Sequence, residues 1–166
     1  WDFVCDTADR GLQQEWYATF PTGTDRLWVP GVWNTHRKYL HYEGVGWYRC
    51  RFTLPECRAA KINFAAVTHQ CNVWLDGEPI GAHYGGFVPF SFLVHTPVAG
   101  LHELIVRVDN THDSLSTIPS DRLDWFRYGG IPRPVWGEIL QGEAYVDSLR
   151  ITPVLTGVQA AVNVRA

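Results

Sequence analysis

Residues Asp124-Trp125-Phe126-Arg127-Tyr128-Gly129-Gly130-Ile131-Pro132-Arg133-Pro134-Val135 place one carboxylate beside three aromatic rings, then pass through a Gly-Gly turn into a proline-flanked strand. A pyranose offers hydroxyls that seek charged acceptors and a C–H face that packs on flat apolar rings, so a loop of this composition can grip it in both ways. Asp124 is the hydroxyl acceptor in that reading, and Trp125, Phe126 and Tyr128 supply the rings. Arg127 and Arg133 carry planar guanidinium groups that fit a uronic carboxylate, or equally a salt bridge that fixes the loop. The competing reading is an aromatic turn closing a β-domain. Asp124 then caps the loop through backbone N–H groups, and the rings pack beneath it or against a neighbouring domain. Gly129-Gly130 predicts a backbone turn that no side chain could share.

Other chemistry is poorly served. Histidines at 36, 41, 69, 83, 95, 102 and 112 are scattered, with neither close pairing nor acidic companions, and the four cysteines form no Cys-x-x-Cys pair. No metal site and no cofactor is predicted. Asn110 and Asp113 lie in a polar stretch that either binds a structural cation or is simply solvated. Cys50 and Cys71 fall at inward strand positions, where a thiol behaves as a small hydrophobe, and nothing requires a disulfide. The net charge of -3, from 14 basic and 17 acidic residues, offers no basic stripe for nucleic acid. No apolar run is long enough to cross a membrane and no signal peptide is visible, so a soluble chain is expected, its compartment unassigned. The chain opens on Trp1 and contains no Met, and reads as a processed or excised piece.

Two-residue alternation dominates the elements that must position the loop, and helix should be scarce. Tyr48, Cys50, Phe52 and Leu54 face one way and Trp47, Arg49, Arg51 and Thr53 the other, which predicts a half-buried strand over 47–54 ending at Pro55. Ile62, Phe64 and Ala66 repeat the pattern. Cys71, Val73 and Leu75 lead into Asp76-Gly77, a hairpin turn dipeptide, with a return strand through Ile80. Further strands are expected at 89–94, at 103–109 with Leu104, Val106 and Val108 inward, at 134–140 and at 145–152. These features predict an all-β, antiparallel two-sheet jelly-roll sandwich in which each sheet hides one face. The 111–130 stretch has no alternation, as functional loops often have not. Eight Trp exceed what a core of this size uses and leave some for a binding surface. Alternation restarts at Val158, Ala160, Val162 and Val164, so residues 1–153 read as one domain and 154–166 as a linker and the first strand of another.

Six segments in order then resemble the N-terminal sugar-binding domain of glycoside hydrolase family 2, the β-glucuronidase and β-galactosidase group. They are Val29-Pro30-Gly31-Val32-Trp33-Asn34, Gly46 to Phe52, Val73-Trp74-Leu75-Asp76-Gly77, Gly81 with His83 to Phe90, Val106 to Asn110, and Asp124 to Val135. Asp76 departs from the family's usual Asn, and either residue accepts the turn. The resemblance implies a galactose-binding-domain-like jelly roll followed by an immunoglobulin-like domain, which residues 154–166 would enter, and then a TIM barrel. It implies that Asp124 holds a substrate hydroxyl, with Trp125, Arg127 and Tyr128 as further substrate contacts, and that the His83 to Phe87 loop packs against its neighbours. The family's two catalytic glutamates lie in the barrel, and the acid/base one follows an asparagine. No Asn-Glu dipeptide occurs here, so no catalytic residue is predicted and the isolated chain should be inactive. The implied partners are a β-glycoside, the chain's own barrel and immunoglobulin-like domains, and further copies in a homo-oligomeric full-length enzyme. Two rival readings are an autonomous carbohydrate-binding module and a purely structural interdomain piece.

Overall fold

The computed structural model describes residues 1–95, 97–111, 126–142, 144–147, 149–157 and 159–165. Asp113, Asp124 and Trp125, singled out above, lie outside the described residues. Strands β1 (Asp2–Asp6), β2 (Asp25–Arg26), β3 (Gly31–Val32), β4 (Val45–Leu54), β5 (Ala59–Phe64), β6 (Gln70–Leu75) and β7 (Glu78–Tyr84) come first. They are followed by β8 (Phe90–His95), β9 (Gly100–Asp109), β10 (Gly130–Ile131), β11 (Val135–Leu140), β12 (Arg150–Thr156) and β13 (Gln159–Arg165). Helix among the described residues is limited to two single 3-10 turns, Trp33–Thr35 and Arg37–Tyr39.

All pairings are antiparallel. One sheet runs β2-β1-β4-β9-β6-β7 and faces a second, β11-β5-β8, which gives the sandwich that alternation predicts. Phe3, Tyr48, Val73, Leu75, Leu104, Val106 and Val108 of the first sheet meet Ile62 and Phe64 of the second, with Phe90, Phe92 and Val135 packed against them. The Asp76-Gly77 turn has φ of 53° and 85°, the left-handed pair that a tight hairpin needs.

Two expectations are corrected. The six-stranded sheet hides both faces at its centre, and Trp47, assigned to the outer face, is 0% exposed. Its indole packs on Trp74 at 5.4 Å, and Val45, Ile105 and Phe20 complete a second core with Trp16 and Tyr17 against it. The segment after β1 makes this possible by folding back across the sheet. The Asp6 carboxylate accepts hydrogen bonds from Arg10 N (2.9 Å), Gly11 N (2.7 Å) and Trp47 Nε1 (3.2 Å). A buried carboxylate so supplied with donors is stabilised in place. This outer core takes up part of the tryptophan excess. The second correction concerns the strand expected at 145–152, which begins at Arg150 and runs to Thr156 through Pro153. Proline is tolerated there because a two-stranded hairpin consists of edges. β12 pairs with β13, and Ile151, Pro153 and Leu155 stand opposite Val164, Val162 and Ala160 on one exposed, apolar face.

The four cysteines are free thiols. Burial pushes the Cys71 thiol up to about 12, so little of the reactive thiolate is present there at pH 8. Cys71 should therefore resist iodoacetamide at pH 8 in the folded chain and react once urea unfolds it. Native-state labelling of Cys71 found by peptide mass spectrometry would contradict this.

Candidate functional site

The described part of the Asp124 to Val135 segment is seated on the Val29 to Asn34 segment. Gly130 pairs with Val32 and Ile131 with Gly31 in a two-strand ladder, and Ile131 is fully buried in the main core. Trp33 N donates to Gly129 O at 2.9 Å, and Asn34 Oδ1 accepts from Gly129 N at 2.8 Å. The Asn34 amide is itself held by the carbonyls of Tyr39, Leu40 and Tyr42 at 3.2 to 3.3 Å. On the other side, Thr68 N donates to Gly130 O at 2.9 Å.

Both glycines are required, for different reasons. A Cβ on Gly129 would lie 1.9 Å from Cζ2 of the buried Trp33 ring. At Gly130 the φ of 131° disfavours any side chain, and a Cβ would meet Tyr48 Oη at 2.8 Å and Gly31 O at 2.9 Å. Burial keeps the Tyr48 phenol far above its ordinary range, so the group against Gly130 is uncharged.

Asn110 fixes the same segment from β9. It is 0% exposed, its Nδ2 donates to Arg127 O at 2.6 Å, and its Oδ1 accepts from Gly44 N at 2.8 Å. The solvated role considered for Asn110 is thereby corrected: both halves of its amide are used to join two loops. Asn34 and Asn110 are positioning residues that the sequence reading missed as such. Their only sequence signal is that each closes one of the six ordered segments.

This seating makes Phe126, Arg127 and Tyr128 part of the lining of a groove of about 590 Å³. Val32, Ala66, Thr68, Gly86 and Phe87 also line it. Phe126 and Tyr128 are 57% and 50% exposed, and Phe87 67%, so the rings are presented rather than consumed by packing. The His83 to Phe87 loop divides its roles. The His83 ring stacks on Phe90 at 3.9 Å and its Nε2 contacts Gly85 O at 3.0 Å, whereas Gly86 and Phe87 reach the groove.

Of the residues assigned to substrate, Tyr128 lines the groove directly and Arg127 lines it while holding Glu43 at 3.4 Å. Arg127 thus serves the loop-fixing role as well. Arg133, the other guanidinium considered for a carboxylate, lines the same groove and is exposed. Among the described residues no cluster of three or more His, Cys, Asp or Glu could hold a metal ion.

Fold and groove define an antiparallel β-sandwich with a groove lined by aromatic rings and two arginines beside a Gly-Gly turn. No protein-family model matches the chain. It is similar to the β-glucuronidase of Paenibacillus borealis, 26% identical over 161 residues, covering 81% of this chain and 27% of that protein. A β-galactosidase of Bacteroides ovatus is 31% identical over 134 residues, covering 77% of the chain and 13% of that protein. Among solved structures, the family 2 β-galacturonidase from Eisenbergiella tayi bound to galacturonate matches with a TM-score of 0.77 and 27% identity, over 98% of this chain and 26% of that one. The chain is a homologue of glycoside hydrolase family 2 β-glucuronidases and β-galactosidases and matches a domain-sized part of them, consistent with an N-terminal domain.

Proposed function

We propose that the chain is a non-catalytic sugar-binding domain of a retaining family 2 β-glycosidase, acting on a β-glucuronide or β-galactoside, that completes the substrate pocket and braces the catalytic barrel. The carrying observation is the groove: exposed aromatic rings held on a rigid turn, in a chain whose homologues are much longer glycosidases. Asp124 is the hydroxyl acceptor in this reading. Tyr128 and Trp125 lend ring surface to the substrate, and Arg127 holds the loop through Glu43 while facing it. Residues 154–166 open the following immunoglobulin-like domain. The exposed apolar face of the β12–β13 hairpin supports that division, since such a face calls for further strands; β12 itself straddles the boundary.

The purified 166-residue chain is expected to show no turnover of aryl β-glycosides, because it has no Asn-Glu pair to act as acid/base. Hydrolysis that co-purifies with the chain through two orthogonal columns would end this reading. Titration calorimetry separates it from an autonomous module. A half-pocket should bind monosaccharides no more tightly than about 10 mM, whereas a module should bind an oligosaccharide at about 1 mM or better.

A further inference from the structure

The β12–β13 hairpin sets two arginines against each other. Arg150 and Arg165 are register partners at its open end, and Thr152 and Asn163 are partners on the next rung that shares their face. Cross-strand partners have Cβ atoms about 5 Å apart, a separation at which like charges repel. The register that opposes them is fixed elsewhere. Gly157, with φ of 61°, forms the turn, and a one-residue slip would carry Val162 and Val164 out of the apolar face they share with Ile151. Neither charge is balanced. Among the described residues neither arginine has an ion pair or a side-chain hydrogen bond, and residues 150–166 contain no Asp or Glu. Asp147, the acidic residue nearest in sequence, is held by Lys61 Nζ at 2.7 Å. Arg150, Thr152, Asn163 and Arg165, with Val164, line an open cleft of about 470 Å³.

We infer that Arg150 and Arg165 form a binding site for one tetrahedral dianion: sulfate, phosphate or a phosphate monoester. Two unpaired positive charges are balanced by one dianion, and the guanidinium forks suit its oxygens. The two rungs are about 7 Å apart along one face. A carboxylate keeps both oxygens in one plane and serves the arginine rung alone. A tetrahedral ion turns further oxygens toward the Thr152 hydroxyl and the Asn163 amide. The cleft shares no lining residue with the aromatic groove, so the inference does not depend on what that groove binds.

The test is an NMR titration of the 166-residue chain with sodium sulfate at pH 7, with ionic strength held constant by sodium chloride. The Nε–H signals of Arg150 and Arg165 and the amide signals of Thr152 and Asn163 should move together, with a Kd of about 1–10 mM for a solvent-open site built on two charge-assisted contacts. Acetate at the same ionic strength should bind about tenfold more weakly. Arg150→Gln and Arg165→Gln should each weaken sulfate by about tenfold, and Arg165→Lys should lose less, since the charge stays and only the fork goes. Removing one of two opposed charges should leave the hairpin intact, and cross-strand NOEs between Thr152 and Asn163 check this in every variant. Inorganic phosphate and methyl phosphate, both dianions at pH 8, separate the two sources of the ligand. Equal affinities assign the site to a monoester, and a weaker ester assigns it to the free ion. Signals that sulfate leaves unmoved, variants that keep the parent's affinity, or a parent chain without those NOEs would each overturn the inference. Acetate that binds as tightly as sulfate would overturn it too, and would mark the face as a seat for protein carboxylates instead.

Discussion

Gly129→Ala is expected to destabilise the fold by about 1–3 kcal/mol and to displace the Phe126–Tyr128 segment. The added methyl would stand 1.9 Å from Cζ2, 2.4 Å from Cε2 and 2.5 Å from Cη2 of Trp33, inside any permissible carbon contact. Trp33 has little room to retreat. Its ring is fully buried beside Phe3 at 5.7 Å and Tyr42 at 5.9 Å, and its Nε1 donates to Tyr42 O at 3.0 Å. The backbone must yield instead, and it carries the Asn34 and Trp33 hydrogen bonds to Gly129 with it. Gly137→Ala is the control, since a Cβ there meets nothing within 4 Å and β11 should tolerate or gain from it. Urea unfolding at unchanged m-value reads both. A Gly129→Ala midpoint equal to that of the parent chain would refute the seating described here. A smaller ring should relieve the clash, so the Gly129→Ala, Trp33→Phe double variant should lose less than the sum of the two single changes.

What the sequence made legible follows from period. β4 and β9 are each ten residues long, and in strands of that length Tyr48, Cys50 and Phe52, or Leu104, Val106 and Val108, display alternation plainly. The ladder that seats the candidate site is two residues on each side, too short for a period to show, and the hydrogen bond beside it, from Gly129 N to Asn34 Oδ1, joins positions 95 apart. The two segments were recognisable separately as Val29 to Asn34 and Asp124 to Val135, but not as partners. Trp47 was misplaced for a related reason. A residue opposite an inward one is read as solvent-facing, and the segment that covers it, from Thr7 to Phe20, forms turns without alternation. Asn110 was undervalued because a polar residue at a strand end looks like the start of solvent. Only the paired contacts to Arg127 O and Gly44 N reveal it as a brace. The two arginines could not be ranked from sequence at all. Glu43, which engages Arg127, is distant in the chain, so that pairing is a property of the folded surface.

In a glycosidase that contains this chain, Asp124→Ala is expected to lower kcat/KM on aryl β-glycosides by about a hundredfold or more, with the thermal midpoint nearly unchanged. The proposed carboxylate accepts a sugar hydroxyl in a charge-assisted hydrogen bond, and such contacts tighten as the ring distorts toward the oxocarbenium-like transition state. The loss should then fall mainly on kcat, because a contact made chiefly in the transition state is missing from the ground-state complex. Asp124→Asn keeps an acceptor oxygen without the charge and should recover part of the rate. Asn110→Ala should weaken the same step less, since it frees the Arg127 carbonyl and loosens the loop without removing the acceptor. If Asp124→Ala left kcat and KM at wild-type values, the carboxylate would be a loop cap after all. A fall in thermal midpoint matching the loss of activity would lead to the same conclusion, because a cap acts through folding and a substrate contact does not.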